Sequence, residues 1–122
     1  MTNWQILKGP RMGSVRQVVE QSIIPPGMFF AHDHMYRWYD VRVPGTVRHE
    51  VFFGTANRKK SIQFRLYVFI SPEDHKMTAL GVHGRYGGEF NIHLKQVAQK
   101  AAMAVYGWNE NEFIKVFGRS YI

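Results

Sequence analysis

The chain has no cysteine, which excludes disulfides, thiolate metal sites and cysteine nucleophiles. It also has no run near the roughly eighteen apolar residues that a membrane span needs, and its start, MTNWQILKGPRMG, has no apolar signal core. A soluble, cytoplasmic protein with no membrane partner is expected. Acids are scarce too, 9 Asp and Glu against 16 Lys and Arg, for a net charge of +7. That balance favours polyanionic partners through long-range attraction and counterion release.

Motifs of common chemistries are missing as well. There is no GK[ST] phosphate loop and no GxGxxG fingerprint, and Ser14, Ser22, Ser61, Ser71 and Ser120 lie outside any GxSxG elbow. The acid pairs fall in a turn signal, Glu73 with Asp74, and beside a helix end, Glu110 with Glu112. The expectation is a non-enzyme without a cofactor.

What is present is a folded composition, 45% hydrophobic over 122 residues, enough for one domain spanning 1–122 with a single core. The stretch from His34 to Ile70 reads as three strands. Side chains on a strand alternate between faces, so from Ile62 onward Ile62, Phe64, Leu66, Val68 and Ile70 form an apolar side opposite Gln63, Arg65, Tyr67 and Phe69. The same treatment of the two preceding strands yields an outer face of Tyr36, Trp38, Asp40, Arg42, Arg48, Glu50, Phe52, Gln63, Arg65, Tyr67 and Phe69. Five of those eleven are aromatic, whereas a solvated face would carry Thr, Lys, Glu and Ser. Seven of the sixteen basic residues lie between Arg37 and Arg65 against two acids, Asp40 and Glu50, so charge and rings coincide.

Rings that stack bases beside arginines that hold phosphates make a single-strand-binding surface. The expected roles are stacking for Tyr36, Trp38, Tyr67 and Phe69, and phosphate contacts for Arg42, Arg48, Arg58, Lys59, Lys60 and Arg65, the middle three at a hairpin tip. This reading gives a binder of single-stranded DNA or RNA, chiefly DNA, with low sequence specificity, accessory to transcription or replication and homo-oligomeric. An aromatic patch marks an interaction without naming the partner, so a protein-interaction module or small inhibitor is the alternative, with the rings buried against a subunit or the termini.

In chain order, Gly13 to Ile24 admits a short helix capped by Ser14, or a strand of its β-branched residues, the helix being preferred, and Pro25, Pro26 and Gly27 end it. A turn at Pro44 and Gly45 and a loop from Thr55 to Lys60 separate the three strands, and Lys76 to His83 makes a fourth, with Leu80 and Val82 inward. Gly84, Gly87 and Gly88 flank Arg85 and Tyr86 in a flexible connection. From Asn91 the period becomes helical, with Leu94, Val97, Ala98, Ala101 and Val105 on one face until Gly107, and Phe113 to Ile122 alternates as a last strand. The fold class expected is α+β: a four-stranded antiparallel β-meander, a C-terminal helix and a terminal strand suited to edge pairing between copies. Over residues 34 to 106 this element order is similar to the single-strand-binding transcription regulators of the Whirly and PUR kinds, which implies a curved sheet and a dimer.

Histidine offers a third reading, a metal-dependent enzyme. His32 and His34 flank Asp33, and on a strand they would face the same way. A further ligand would come from His49, His75, His83, Asp40 or Glu89, none at a diagnostic spacing.

Overall fold

The computed structural model describes residues 20–122. The coarse α+β class holds, but the four strands make two separate two-stranded antiparallel sheets rather than a meander. In the first, β1 (Gly27–Ala31) pairs with β2 (His34–Trp38); in the second, β3 (Val47–Glu50) pairs with β4 (Tyr67–Ile70). The likeness in element order to the curved-sheet regulators falls with the meander.

The β1–β2 hairpin turns on His32 and Asp33, both at φ 55. A two-residue hairpin loop of this hand requires positive φ at both central residues, and Asp tolerates it better than most. His32 and Asp33 therefore make the hairpin turn, and His34 opens β2.

The long apolar row from Ile62 to Ile70 proves to cross three conformations. Asn57–Gln63 forms the short helix α1, Arg65 takes a left-handed φ of 59, and only Tyr67–Ile70 is strand. Arg, Lys and Gln are good helix formers, and Ser61 supplies the inward contact of α1. Its hydroxyl donates to the Phe52 carbonyl at 2.6 Å and accepts from the Phe52 N–H at 3.0 Å, fixing the helix to the end of β3.

After β4 the expected fourth strand is absent. Glu73–Met77 forms one wide π-type turn, followed by tight turns to Gly87. The long helix α2 runs over Gly88–Tyr106 and ends at Gly107, whose φ of 69 suits a glycine stop. Its buried row is Phe90, Leu94, Ala98 and Ala102, while Val105 of the expected face is exposed. The expected last strand is mostly helix α3 (Glu110–Phe117), started by a capping box between Asn109 and Glu112 and stopped by Gly118 at φ 96. Phe113 and Phe117 are its inward residues at helical spacing, and both rings pack on Phe52. Among the described residues, then, Phe113 to Ile122 forms no strand for edge pairing.

One core results, with an aromatic group toward each end. Tyr36 and Trp38 surround Phe90, with the Tyr36 and Phe90 rings stacked 4.1 Å apart, and Phe52, Phe113 and Phe117 fill the other end. Main-chain bonds between Tyr39 and Phe69, at 3.0 and 2.9 Å, join the two sheets. The buried Gln99 side chain holds the C-terminal residues through the Tyr121 N–H and the Ser120 hydroxyl. The expected helix from Gly13 to Ile24 lies mostly outside the described residues; within them, Gln21 bridges to Val41 as extended chain. Among the described residues, no helix is long and apolar enough to cross a membrane.

Ser61→Ala should lower unfolding stability by about 1–3 kcal/mol, because both Phe52 main-chain groups lose their side-chain partner in the interior. Urea unfolding of the variant beside the parent measures it.

Candidate metal centre

Three histidines from distant parts of the chain meet at one end of the second sheet. His49 lies on β3 opposite Val68 and is 1% exposed. His75 sits in the wide turn after β4, and His83 follows eight positions later on the returning chain. Two main-chain bonds hold outgoing and returning chain together, from the Val82 N–H to the Asp74 carbonyl at 2.6 Å and from the His83 N–H to the His75 carbonyl at 3.0 Å.

Glycine makes that approach sterically feasible. A Cβ on Gly81 would lie 2.8 Å from the Glu73 carbonyl oxygen, one on Gly84 2.5 Å from that of Thr78, and one on Gly87 1.9 Å from that of Gly81. Only a hydrogen fits there, so the expected flexible glycine connection is a packed one in which main chain touches main chain.

The imidazole centroids are 5.2 Å apart for His49 and His75, 5.1 Å for His49 and His83, and 4.7 Å for His75 and His83. One ligand nitrogen from each lies within 4.8 Å of the other two. Around a tetrahedral ion with metal–nitrogen bonds near 2.0–2.1 Å, three such nitrogens stand about 3.4 Å apart and the ring centroids about 5 Å apart. The rings already have that spacing, and small rotations bring the nitrogens in.

Burial and charge put the histidines in the ligand form. His49 Nε2 is buried without a hydrogen-bond partner among the described residues, a costly state for a polar atom. Desolvation, then the neighbouring His75 and His83, push the His49 pKa well below its ordinary value. Those of His75 and His83 are lowered too, each mainly by burial. Metals take neutral imidazole, so the site is ready near neutral pH without first losing protons. His83 is exposed and His75 half-buried, so the cluster is closed on the protein side and open toward solvent.

The His32 and His34 pair is not brought together as ligands. His34 Nε2 lies 2.7 Å from Asp74 Oδ1, and His32 Nε2 lies 3.6 Å from Glu89 Oε2. Asp40 and Glu89 do not join the cluster either. The ligand separations of 26 and 8 residues match no local motif, so only the histidines themselves, named as spare ligands, were visible in sequence.

The expected nucleic-acid face comes together in part and turns inward. Tyr36, Trp38, Tyr67 and Phe69 are all buried, which leaves them no face for a base. Tyr36 and Trp38 belong to the core around Phe90, and the Trp38 indole N–H donates to the Pro25 carbonyl at 2.9 Å. Tyr67 and Phe69 are covered by the arginines themselves, with the Arg48 guanidinium 5.5 Å from the Tyr67 centroid and Arg42 5.0 Å from that of Phe69. Glu20 then pairs with both arginines, and Arg48 also binds Glu50 at 2.8 Å. Arg65 donates to the Gln21 carbonyl and Lys60 to the Val116 carbonyl. Arg58 and Lys59 remain exposed on α1, Arg58 with Nε 3.7 Å from Glu50.

A separate open cleft of about 500 Å³ lies between Phe29 of β1 and Gly88, Glu89, Ile92, His93 and Gln96 of α2, away from the cluster. Comparison of the chain with protein-family models, curated proteins and solved structures finds no match. Fold and side-chain geometry thus give a small α+β structure with a three-histidine cluster beside its second sheet.

The lowered pKa values carry a pH signature. Above about pH 6.5 these histidines are neutral whether the chain is folded or unfolded, so they impose no penalty. Below it the unfolded chain takes up protons that the folded one resists, and stability falls with pH. Urea midpoints for the metal-free protein should be flat above pH 7 and decline from pH 6.5 downward, less steeply in His49→Leu.

Proposed function

We propose that the protein binds a divalent transition-metal ion of the zinc class through His49, His75 and His83, leaving one coordination position open to solvent. The observation that carries this reading is the buried His49, with Nε2 unpartnered among the described residues, set so that one ring nitrogen each of His49, His75 and His83 lies within 4.8 Å of the others. Three protein nitrogens and an open position form the ligand pattern of catalytic rather than structural zinc. An ion held so acidifies a bound water toward neutral pH and supplies a hydroxide nucleophile or a Lewis acid. The reading is therefore a metal-dependent hydrolytic or lyase-type site on β3 and the chain after β4, in place of one at His32 and His34.

Cobalt(II) and zinc test it directly. One equivalent of cobalt should give visible d–d bands that zinc displaces. His83→Ala, which removes the most exposed ligand and disturbs the core least, should weaken zinc binding roughly 100-fold, about a fifth of the binding free energy of a tight site. A colourless cobalt titration with no rise in melting temperature would sink the proposal.

Single-stranded nucleic-acid binding keeps one specific support, the exposed Arg58 and Lys59 on α1 together with the net charge of +7. If the protein binds strands this way, affinity for a fluorescent oligonucleotide should fall with salt, and replacing Arg58 and Lys59 together should flatten the log–log slope by about 1.4. A slope unchanged by the double replacement removes this reading.

A further inference from the structure

The cluster stands in an unusual electrostatic setting for a cation site. Arg58 and Lys95 are cations whose charge is felt at His49 and His83, and that of Lys76 is felt at His75 and His83, while Glu50 is the carboxylate whose charge is felt at His75 and His83. Glu50 is already engaged by Arg48 at 2.8 Å and by Arg58 at 3.7 Å. A divalent ion added there would concentrate positive charge beside solvent, a setting that favours an anionic fourth ligand over a neutral one.

Lys95 is the cation built into the wall. It projects from α2, half-buried, with Nζ 4.6 Å from the centroid of Phe53 and 5.3 Å from that of Tyr121. The Phe53 ring packs edge-on against His83 at 5.0 Å, so one aromatic ring separates the ammonium from a ligand imidazole. No carboxylate pairs with Lys95 among the described residues, and residues 1–19 contain none. Burial and the nearby Arg119 lower its pKa, the mark of a cation that lacks a counter-charge.

We propose that the open position of the histidine site takes a tetrahedral oxyanion of the phosphate class, one oxygen on the metal and another held by Lys95. The proposal rests on the metal reading above and adds the substrate class. Chloride and the single oxygen of hydroxide each offer one acceptor atom. A phosphate group offers several, about 2.5 Å apart, so that one can bind the ion while another accepts a charge-assisted bond of about 2.8 Å. Phosphate monoesters carry the same oxyanion group and would enter the same position in place of the bound water.

Inorganic phosphate and cobalt(II) test this on the whole protein. Phosphate should shift the d–d bands of the cobalt form and tighten cobalt binding, and cobalt should broaden the phosphorus resonance of bound phosphate. Lys95→Met should weaken phosphate binding about 10- to 100-fold, as expected for loss of one charge-assisted hydrogen bond, while phosphate-free cobalt affinity holds or rises. Lys95→Arg should recover most of the loss, which a merely unfolded variant would not show. Cobalt bands that ignore phosphate, or equal phosphate affinity in parent and Lys95→Met, overturn this inference and leave the metal reading intact. Absence of cobalt bands in phosphate-free buffer overturns both.

Discussion

Main chain lying directly on main chain, with glycine hydrogens as the only spacers, is the constraint on which the histidine cluster depends. Gly81, Gly84 and Gly87 follow one another at intervals of three, and each amide donates to the carbonyl three residues back: Gly81 to Thr78, Gly84 to Gly81, Gly87 to Gly84. These successive turns satisfy polar groups that the tight packing removes from water. The returning chain can then bond to the outgoing one at Asp74 and His75, and two imidazoles eight residues apart reach a third on β3. A methyl at Gly87 would overlap the Gly81 carbonyl outright, and the ligand loop would open before the sheet did.

The inward turn of the basic aromatic face has a physical reason. Rings and arginines do share a region, as alternation implied, but they satisfy one another: each guanidinium lies over a ring, and Glu20 bridges the pair. A cation–π layer over buried rings, closed by a carboxylate, has the same composition as a base-stacking surface. What separates the two is Glu20, a residue outside the strands that alternation compares.

Local signals with one dominant cause were legible. The helical period from Asn91 and the stop at Gly107 have direct counterparts in α2, because small and apolar residues at that spacing need a sheet to cover them. The apolar row from Ile62 was not legible, since period two ran by accident through α1, the left-handed Arg65 and β4, and β4 is buried on both faces. Phe113 to Ile122 misled for a similar reason, with Phe113 and Phe117 equally compatible with a strand side and a helix face, and the capping pair Asn109 and Glu112 deciding the matter. For the site, sequence supplied the residue type and three of the five candidate further ligands. Their convergence depends on the β3 register and the glycine loop, which are long-range facts.

The pair of bonds between Tyr39 and Phe69 has a consequence for how the molecule comes apart. Both amides donate across the junction of the two hairpins, and thirty residues of chain separate them. Their hydrogen exchange therefore reports the parting of the sheets from each other, separately from fraying within either hairpin. Protection equal to that of Val68 would mark the domain as one cooperative unit; weaker protection would mark two foldons meeting at a seam.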